Sequence, residues 1–166
     1  MVVTLRPLDD SNLEAVLALR VSPAQLNFVA SVADSLAEAA AEPDGRAIQW
    51  AVYDDETPVG FVMISDEVGA PGYVAQYLWR LLIDEHHQRQ GYGTAALDLV
   101  VEYFRARPGV EVMWTSTSRG EGSPLPFYER YGFERTGDIV FDDEVLLRLP
   151  LSPAGAKATN PLQQAT

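Results

Sequence analysis

The sequence predicts an α/β (α+β) fold with a mixed central sheet of about six to seven strands and helices on both faces. Two observations carry this expectation. Apolar residues recur at helical spacing up to Ala41, but from Arg46 they alternate, with Ile48, Trp50 and Val52 on one face. A long apolar strand ending at Ile83 then runs into a glycine-containing turn, Gln88-Arg89-Gln90-Gly91-Tyr92-Gly93-Thr94, and from there into an amphipathic helix.

Taken in order, Val2 to Leu5 reads as a short first strand, and Asp9-Asp10-Ser11 after Pro7 supply the side chains that cap a helix start. Leu13, Val16, Leu17 and Arg20 continue that helix. Ser22-Pro23 opens a second one, because serine caps and proline is preorganised for the first helical position. A third helix spans Val32 to Ala41 and is closed by Pro43-Asp44-Gly45. Arg46 to Tyr53 and Val59 to Ser65 form a hairpin around a turn at Asp54 to Pro58. Gly69-Ala70-Pro71-Gly72 makes the next turn. Tyr73 to Ile83 is a long strand whose second half hardly alternates, the pattern of a central strand buried on both faces. The helix from Thr94 to Arg107 presents Ala95, Leu97, Val100, Val101 and Phe104 to a core, and Pro108-Gly109 ends it. Val110 to Ser116 is a strand, Ser118 to Pro126 a loop, and Ser123-Pro124 opens a short helix from Leu125 to Tyr131. Phe133 to Val140 and Glu144 to Leu149 are the last strands. Residues 1–150 are therefore read as one domain, and 151–166 as a disordered tail of small and polar residues.

A chain of 166 residues with 47% hydrophobic content suits one soluble domain. It has no apolar run of bilayer length and no basic-then-apolar leader, so a cytoplasmic location away from membranes is expected. The net charge of −12 and pI near 4.4 repel nucleic acids and anionic membranes. The same charge attracts a small cationic partner into any cleft where carboxylates gather. With no cysteine, disulfides and thiol nucleophiles are excluded, and with His86 and His87 as the only histidines no metal site is expected.

The glycine-containing turn is the chemical centre of the sequence. Glycines allow a tight turn, and the amides from Arg89 to Thr94 then project from a helix start that carries roughly +0.5 charge, a site for a diphosphate. The spacing matches neither a P-loop nor a dinucleotide fingerprint. It resembles the acyl-CoA loop of the GNAT acetyltransferases, Gln/Arg-x-x-Gly-x-Gly/Ala, with Gln88, Gly91 and Gly93 at the named positions. Pro126-Phe127-Tyr128-Glu129-Arg130-Tyr131-Gly132-Phe133 also looks like that family's Tyr-x-x-x-Gly-Phe segment, so the resemblance extends from about Leu5 to Leu149.

The resemblance implies a splayed central strand and acetyl-CoA as co-substrate, with no metal. Its pyrophosphate would meet Gln88, Arg89, Gln90, Gly91, Tyr92, Gly93 and Thr94, and its pantetheine arm the strand at Leu81, Leu82 and Ile83. Tyr128 matches the tyrosine that gives a proton to the leaving thiolate; a phenol of pKa about 10 holds that proton at neutral pH. Tyr131 is read as packing. An alkylamine of pKa about 10.4 must lose a proton before attack, and Asp84, Glu85, Glu38, Asp34 and Glu144 are alternative bases. His86 and His87 fall at the pyrophosphate end. Arg119 is a candidate contact to a CoA phosphate.

A narrower resemblance concerns the acceptor. Gln25-Leu26-Asn27-Phe28-Val29-Ala30-Ser31, Ser35-Leu36-Ala37-Glu38-Ala39 and Tyr77-Leu78-Trp79-Arg80-Leu81-Leu82-Ile83-Asp84 are similar to bacterial spermine/spermidine acetyltransferases. This implies a di- or polyamine, met by Asp34, Glu38, Trp79 and Glu144 as carboxylates and aromatic wall. Another cationic amine, such as an aminoglycoside or a peptide N-terminus, stays open, as does a non-catalytic acyl-CoA sensor. Gly120-Glu121-Gly122-Ser123-Pro124 departs from the asparagine that many relatives carry before the tyrosine helix. Homodimers are common in this fold, and the sequence fixes no interface.

Overall fold

The computed structural model describes residues 1–66 and 75–151. The expected turn at Gly69 to Gly72, the first residues of the long strand and the tail from residue 152 lie outside the described residues. Seven strands form one mixed sheet. They are β1 (Val3–Pro7), β2 (Ala47–Asp54), β3 (Thr57–Ser65), β4 (Tyr77–Ile83), β5 (Val112–Ser118), β6 (Glu134–Val140) and β7 (Glu144–Pro150), in spatial order β1-β2-β3-β4-β5-β7-β6. Among the described residues only the β4–β5 pair is parallel. The helices are α1 (Leu13–Leu17), α2 (Val32–Ala41), α3 (Tyr92–Arg105) and α4 (Leu125–Tyr131). None of them is long and apolar enough to cross a membrane.

Most elements fall where hydrophobic spacing puts them, and the departures have local causes. The helix expected after Ser22 is only a single turn, Pro23–Gln25. The first helix ends at Leu17, and the Arg20 guanidinium donates to the Leu17 carbonyl that its last turn leaves free and to the Leu19 carbonyl just beyond it. Ser31 caps α2 by accepting from the Asp34 amide at 3.0 Å. Leu151, expected in the tail, is instead buried, and its amide donates to the Glu111 carbonyl at 2.8 Å.

As its even spread of apolar residues predicts, β4 packs against a core on each face, with Leu78 buried in one and Leu82 in the other, but its remaining residues are only partly buried. Two features open it. Met63 of β3 pairs with Arg80 and Ile64 with Leu78, so Trp79 is an extra residue, a β-bulge. The bulge reverses the alternation, putting Leu78, Leu81 and Ile83 against the core beneath α3, and Trp79 and Leu82 against the core beneath α1 and α2. Towards β5, pairing stops after Tyr77↔Trp114 and Leu78↔Thr115, and the two strands part. At the fork the Thr115 hydroxyl donates to the Leu78 carbonyl at 3.0 Å. The splay implied by the family resemblance is present.

The apolar stripe of α3 fills one side of the sheet with Leu97, Val100 and Phe104, all completely buried. Removing a buried ring leaves a void that the neighbours only partly close. Phe104→Ala is expected to lower the unfolding free energy by about 3–5 kcal/mol, read from the shift of the urea midpoint at unchanged m-value.

Candidate active site

The turn after β4 is assembled by side chains that pull the backbone into place. Asp84 accepts hydrogen bonds from the Arg20 amide at 2.9 Å, the His86 amide at 3.1 Å, and the Nδ1 atoms of His86 and His87 at 3.1 and 3.3 Å. Burial opposes ionisation of Asp84, but those amide and imidazole hydrogen bonds outweigh it, and the carboxyl titrates below its ordinary value. A carboxylate so engaged is a staple and a poor base. Glu85 is exposed beside it. The Gln88 side-chain amide donates to the Ile83 carbonyl at 2.9 Å and to Gln25 Oε1 at 2.7 Å, tying the start of the loop to the end of β4.

Arg89 and Gly91 then take left-handed conformations, with φ of 61° and 86°, and Gly91 caps α3 with no side chain of its own. This is a turn a glycine makes without steric cost. The amides of Tyr92, Gly93 and Thr94 form the first turn of α3, where no intrahelical acceptor exists. They face a cleft of about 640 Å³, lined also by Leu81, Ile83, Gln88 and Arg89 on one side and by Pro124, Phe127, Tyr128 and Arg130 on the other. Of the loop and strand residues expected there, Leu82 is buried in the opposite core and Gln90 is exposed; neither lines the cleft. Tyr92 contributes backbone only, because its hydroxyl donates to the Asp54 carboxylate, a bond that raises the phenol pKa.

Tyr128 sits in this cleft with its side chain almost wholly buried, between the rings of Phe127 and Phe133, each with its centroid 5.4 Å away. Burial raises its pKa, outweighing a hydrogen bond with Thr115. Tyr131 does not line the cleft; its hydroxyl donates to Asp98 at 2.7 Å. Arg119 is exposed and lines neither this cleft nor the cavity described next. Arg130 was missed in the sequence, although it stands at helical spacing from Pro126 and Phe127, which line the same cleft.

On the other side of β4 lies a cavity of about 480 Å³. Its carboxylates are Glu38, Glu42, Asp143 and Glu144, and its rings Phe28, Tyr77, Trp79 and Phe141. The bulge explains why two consecutive residues, Trp79 and Arg80, both reach it. Glu38 pairs with the Arg80 guanidinium and accepts from Trp79 Nε1 at 3.4 Å. Glu144 accepts from the Ser116 hydroxyl at 3.3 Å, and Ser116 is hydrogen-bonded in turn to the Tyr77 hydroxyl. Burial pushes the Tyr77 phenol up to about 12 and raises the Glu144 carboxyl above its ordinary value. Asp34 is exposed on the first turn of α2 and does not line the cavity. Glu42, four residues after Glu38, was a legible signal that sequence reasoning did not use. Tyr77, Arg80, Phe141 and Asp143 were also missed.

The loop after β5 bridges the two spaces. Gly122 (φ 88°) lies so close to the Ala24 carbonyl oxygen that a Cβ there would stand 2.4 Å from it. The glycine-rich departure at 120–124 is thus what lets this loop lie flat on the segment from Ala24 to Phe28. Val29, just beyond that segment, lines both spaces.

Residues 13–133 match the model of the acetyltransferase (GNAT) family. The chain is 26% identical over 156 residues to the spermine/spermidine N(1)-acetyltransferase of Bacillus subtilis (strain 168), an alignment covering 89% of this chain and 97% of that protein. Among solved structures it resembles spermidine N-acetyltransferase from Vibrio cholerae in complex with CoA and spermine, with a TM-score of 0.66 at 15% identity over 90% of this chain and 95% of the other. An acetyltransferase from Thermus thermophilus gives a TM-score of 0.65 at 20% identity, covering 90% and 97%.

Asp84→Asn is expected to cost about 2 kcal/mol at pH 7, the worth of hydrogen bonds to a charged group. Because the folded-state pKa of Asp84 is lowered, its contribution is complete above the unfolded value of about 3.9 and fades as pH falls through the folded one. Urea midpoints of parent and variant should therefore converge on acidification below that value.

Proposed function

Because the chain belongs to the GNAT family and is an acetyl-CoA-dependent N-acetyltransferase, we propose that its acceptor is a primary amine of a di- or polyamine such as spermidine or spermine. The observation that carries this reading is the second cavity, where among the described residues four carboxylates and four aromatic rings surround a space lined by one guanidinium, Arg80. A polyamine carries ammonium groups separated by methylenes, and such a surface offers each group a carboxylate or a ring face while the methylenes lie on apolar walls. The names of the Bacillus relative and of the Vibrio structure support the same acceptor class.

In this reading the cleft opposite holds acetyl-CoA, which supplies the activated acetyl group. The free amides of Tyr92, Gly93 and Thr94 and the guanidinium groups of Arg89 and Arg130 take its phosphates, since a helix start and nearby cations both favour anions. The backbone of Leu81 and Ile83, left without a β5 partner by the splay, binds the pantetheine amides. Tyr128 is the acid. Its raised pKa keeps the phenol protonated until a thiolate forms beside it, and the same poor solvation raises the proton affinity of that thiolate.

Two measurements test this. Acetyl-CoA-dependent thiol release should appear with spermidine and be absent from a no-acceptor control; release with an aminoglycoside alone would overturn the polyamine assignment. Tyr128→Phe should reduce kcat by about 10²-fold or more while acetyl-CoA affinity stays the same, as loss of a general acid requires. An unchanged kcat would remove Tyr128 from that role.

A further inference from the structure

We propose that Glu144 is the base that takes the ammonium proton of the bound acceptor, and that Ser116 and Tyr77 are positioning residues that hold its carboxylate across the fork between β4 and β5. The inference rests on the reading of the acidic cavity as the acceptor site.

The other carboxylates are each committed or badly placed. Asp84 is consumed by four hydrogen bonds, Glu85 is exposed beside the phosphate loop, and Asp34 lines neither space. Glu38 is paired with the Arg80 guanidinium and also accepts from Trp79 Nε1, so both of its oxygens are already engaged. Glu42 and Asp143 line the cavity but are exposed, and Asp143 also accepts from the Ser118 hydroxyl at 3.1 Å. Glu144 is half-buried and stands at the first position of β7, opposite Ser118 of β5.

Its partners place it at the fork. Tyr77 lies on β4 where pairing with β5 ends, and Ser116 lies on β5 just beyond that point. The chain Tyr77 to Ser116 to Glu144 thus spans three strands where the sheet opens towards the cleft that holds Tyr128. With Glu144 ionised, Ser116 donates to it and Tyr77 donates to Ser116. The groups facing the carboxylate are Ser116 from β5, Arg80 and Tyr77 from β4, Glu38 from α2 and the neighbouring Asp143. Burial raises its proton affinity, Ser116 and Arg80 oppose this, and Asp143 and Glu38 reinforce it.

The proton and electron balance is complete. Glu144 takes one proton from the ammonium and releases it to water. The nitrogen lone pair forms the N–C bond to the acetyl carbon, and the C–S bond breaks with its electron pair on sulfur. The thiolate takes the phenolic proton of Tyr128, and the second proton lost by nitrogen balances that of the phenol. One proton is released per turnover, as conversion of an ammonium and a thioester to an amide and a thiol requires.

The test is kcat/KM for spermidine between pH 5 and 10 in the parent, Glu144→Gln, Glu144→Asp and Ser116→Ala, with acetyl-CoA affinity as the control for folding. The parent acid limb reports the base of the free enzyme. Glu144→Gln should lose about 10²-fold at pH 7, keep acetyl-CoA affinity, and show a residual rate that climbs tenfold per pH unit with the neutral fraction of an amine of pKa about 10.4. Glu144→Asp should recover part of the rate together with an acid limb. Ser116→Ala, having lost the donor that favours the carboxylate, should keep the limb displaced to higher pH. A parental profile in Glu144→Gln, or an acid limb persisting in it, overturns the assignment of the base while leaving the acceptor reading intact. Absence of spermidine turnover in the parent overturns the acceptor reading, and the inference with it.

Discussion

The parting of β4 from β5 is the constraint on which the rest of the structure depends. A central strand has neighbours on both edges, and its amides and carbonyls are normally all used. Here β4 keeps β3 throughout but loses β5 after Leu78; side chains meet the Trp79 and Ile83 carbonyls, and the backbone between them has no strand partner along that edge. Such groups need partners, and a ligand with amide groups of its own can supply them. The Thr115 hydroxyl, bonded to the last paired carbonyl, marks where pairing gives way to binding. The bulge at Trp79 adds a second effect, since it turns Leu81 and Ile83 towards the phosphate loop and Trp79 and Arg80 towards the acidic cavity. One extra residue in one strand therefore directs neighbouring side chains into two separate spaces.

The parts legible in the sequence were those whose geometry is local. Gln88, Gly91 and Gly93 define a turn by their own conformational demands, and the helix that follows supplies free amides wherever it lies in the fold. The short helix that carries Tyr128 was legible for the same reason, bounded by Pro124 and Gly132, whereas the role expected of Tyr128 came from the family resemblance. The acidic cavity was legible only in outline. Asp34 and Glu38 share one face of α2 and Glu42 caps its end, but the cavity lies against the C-terminal end of that helix, so Glu38 and Glu42 line it and Asp34 does not. Where a helix begins and ends relative to a cavity is set by tertiary packing, and spacing alone does not contain it.

Arg80 and Ser116 show why the remainder was hidden. In an unbroken strand Trp79 and Arg80 would face opposite sides, and nothing in Tyr77 to Ile83 announces the extra residue, because a bulge is a property of a pair of strands. The even spread of apolar residues that suggested burial on both faces is partly this change of phase. Ser116 gains its partners, Tyr77 and Glu144, from residues 39 and 28 positions away in the chain.

Burial suits the two ends of the fork to the roles proposed for them. It raises the proton affinity of both Tyr128 and Glu144, but the two groups begin on opposite sides of neutrality. For a phenol the shift leads away from neutral pH, so it stays loaded with a proton until a strong base appears at its oxygen. For a carboxyl the shift leads towards neutral pH, so it becomes a better proton acceptor. Arg80 and Ser116 limit that shift at Glu144, and a carboxylate without them would remain protonated to higher pH. One poorly solvated opening in a sheet thus moves both groups in the direction that the proposed acid and base roles need, the charged and polar neighbours of each deciding how far its proton affinity moves.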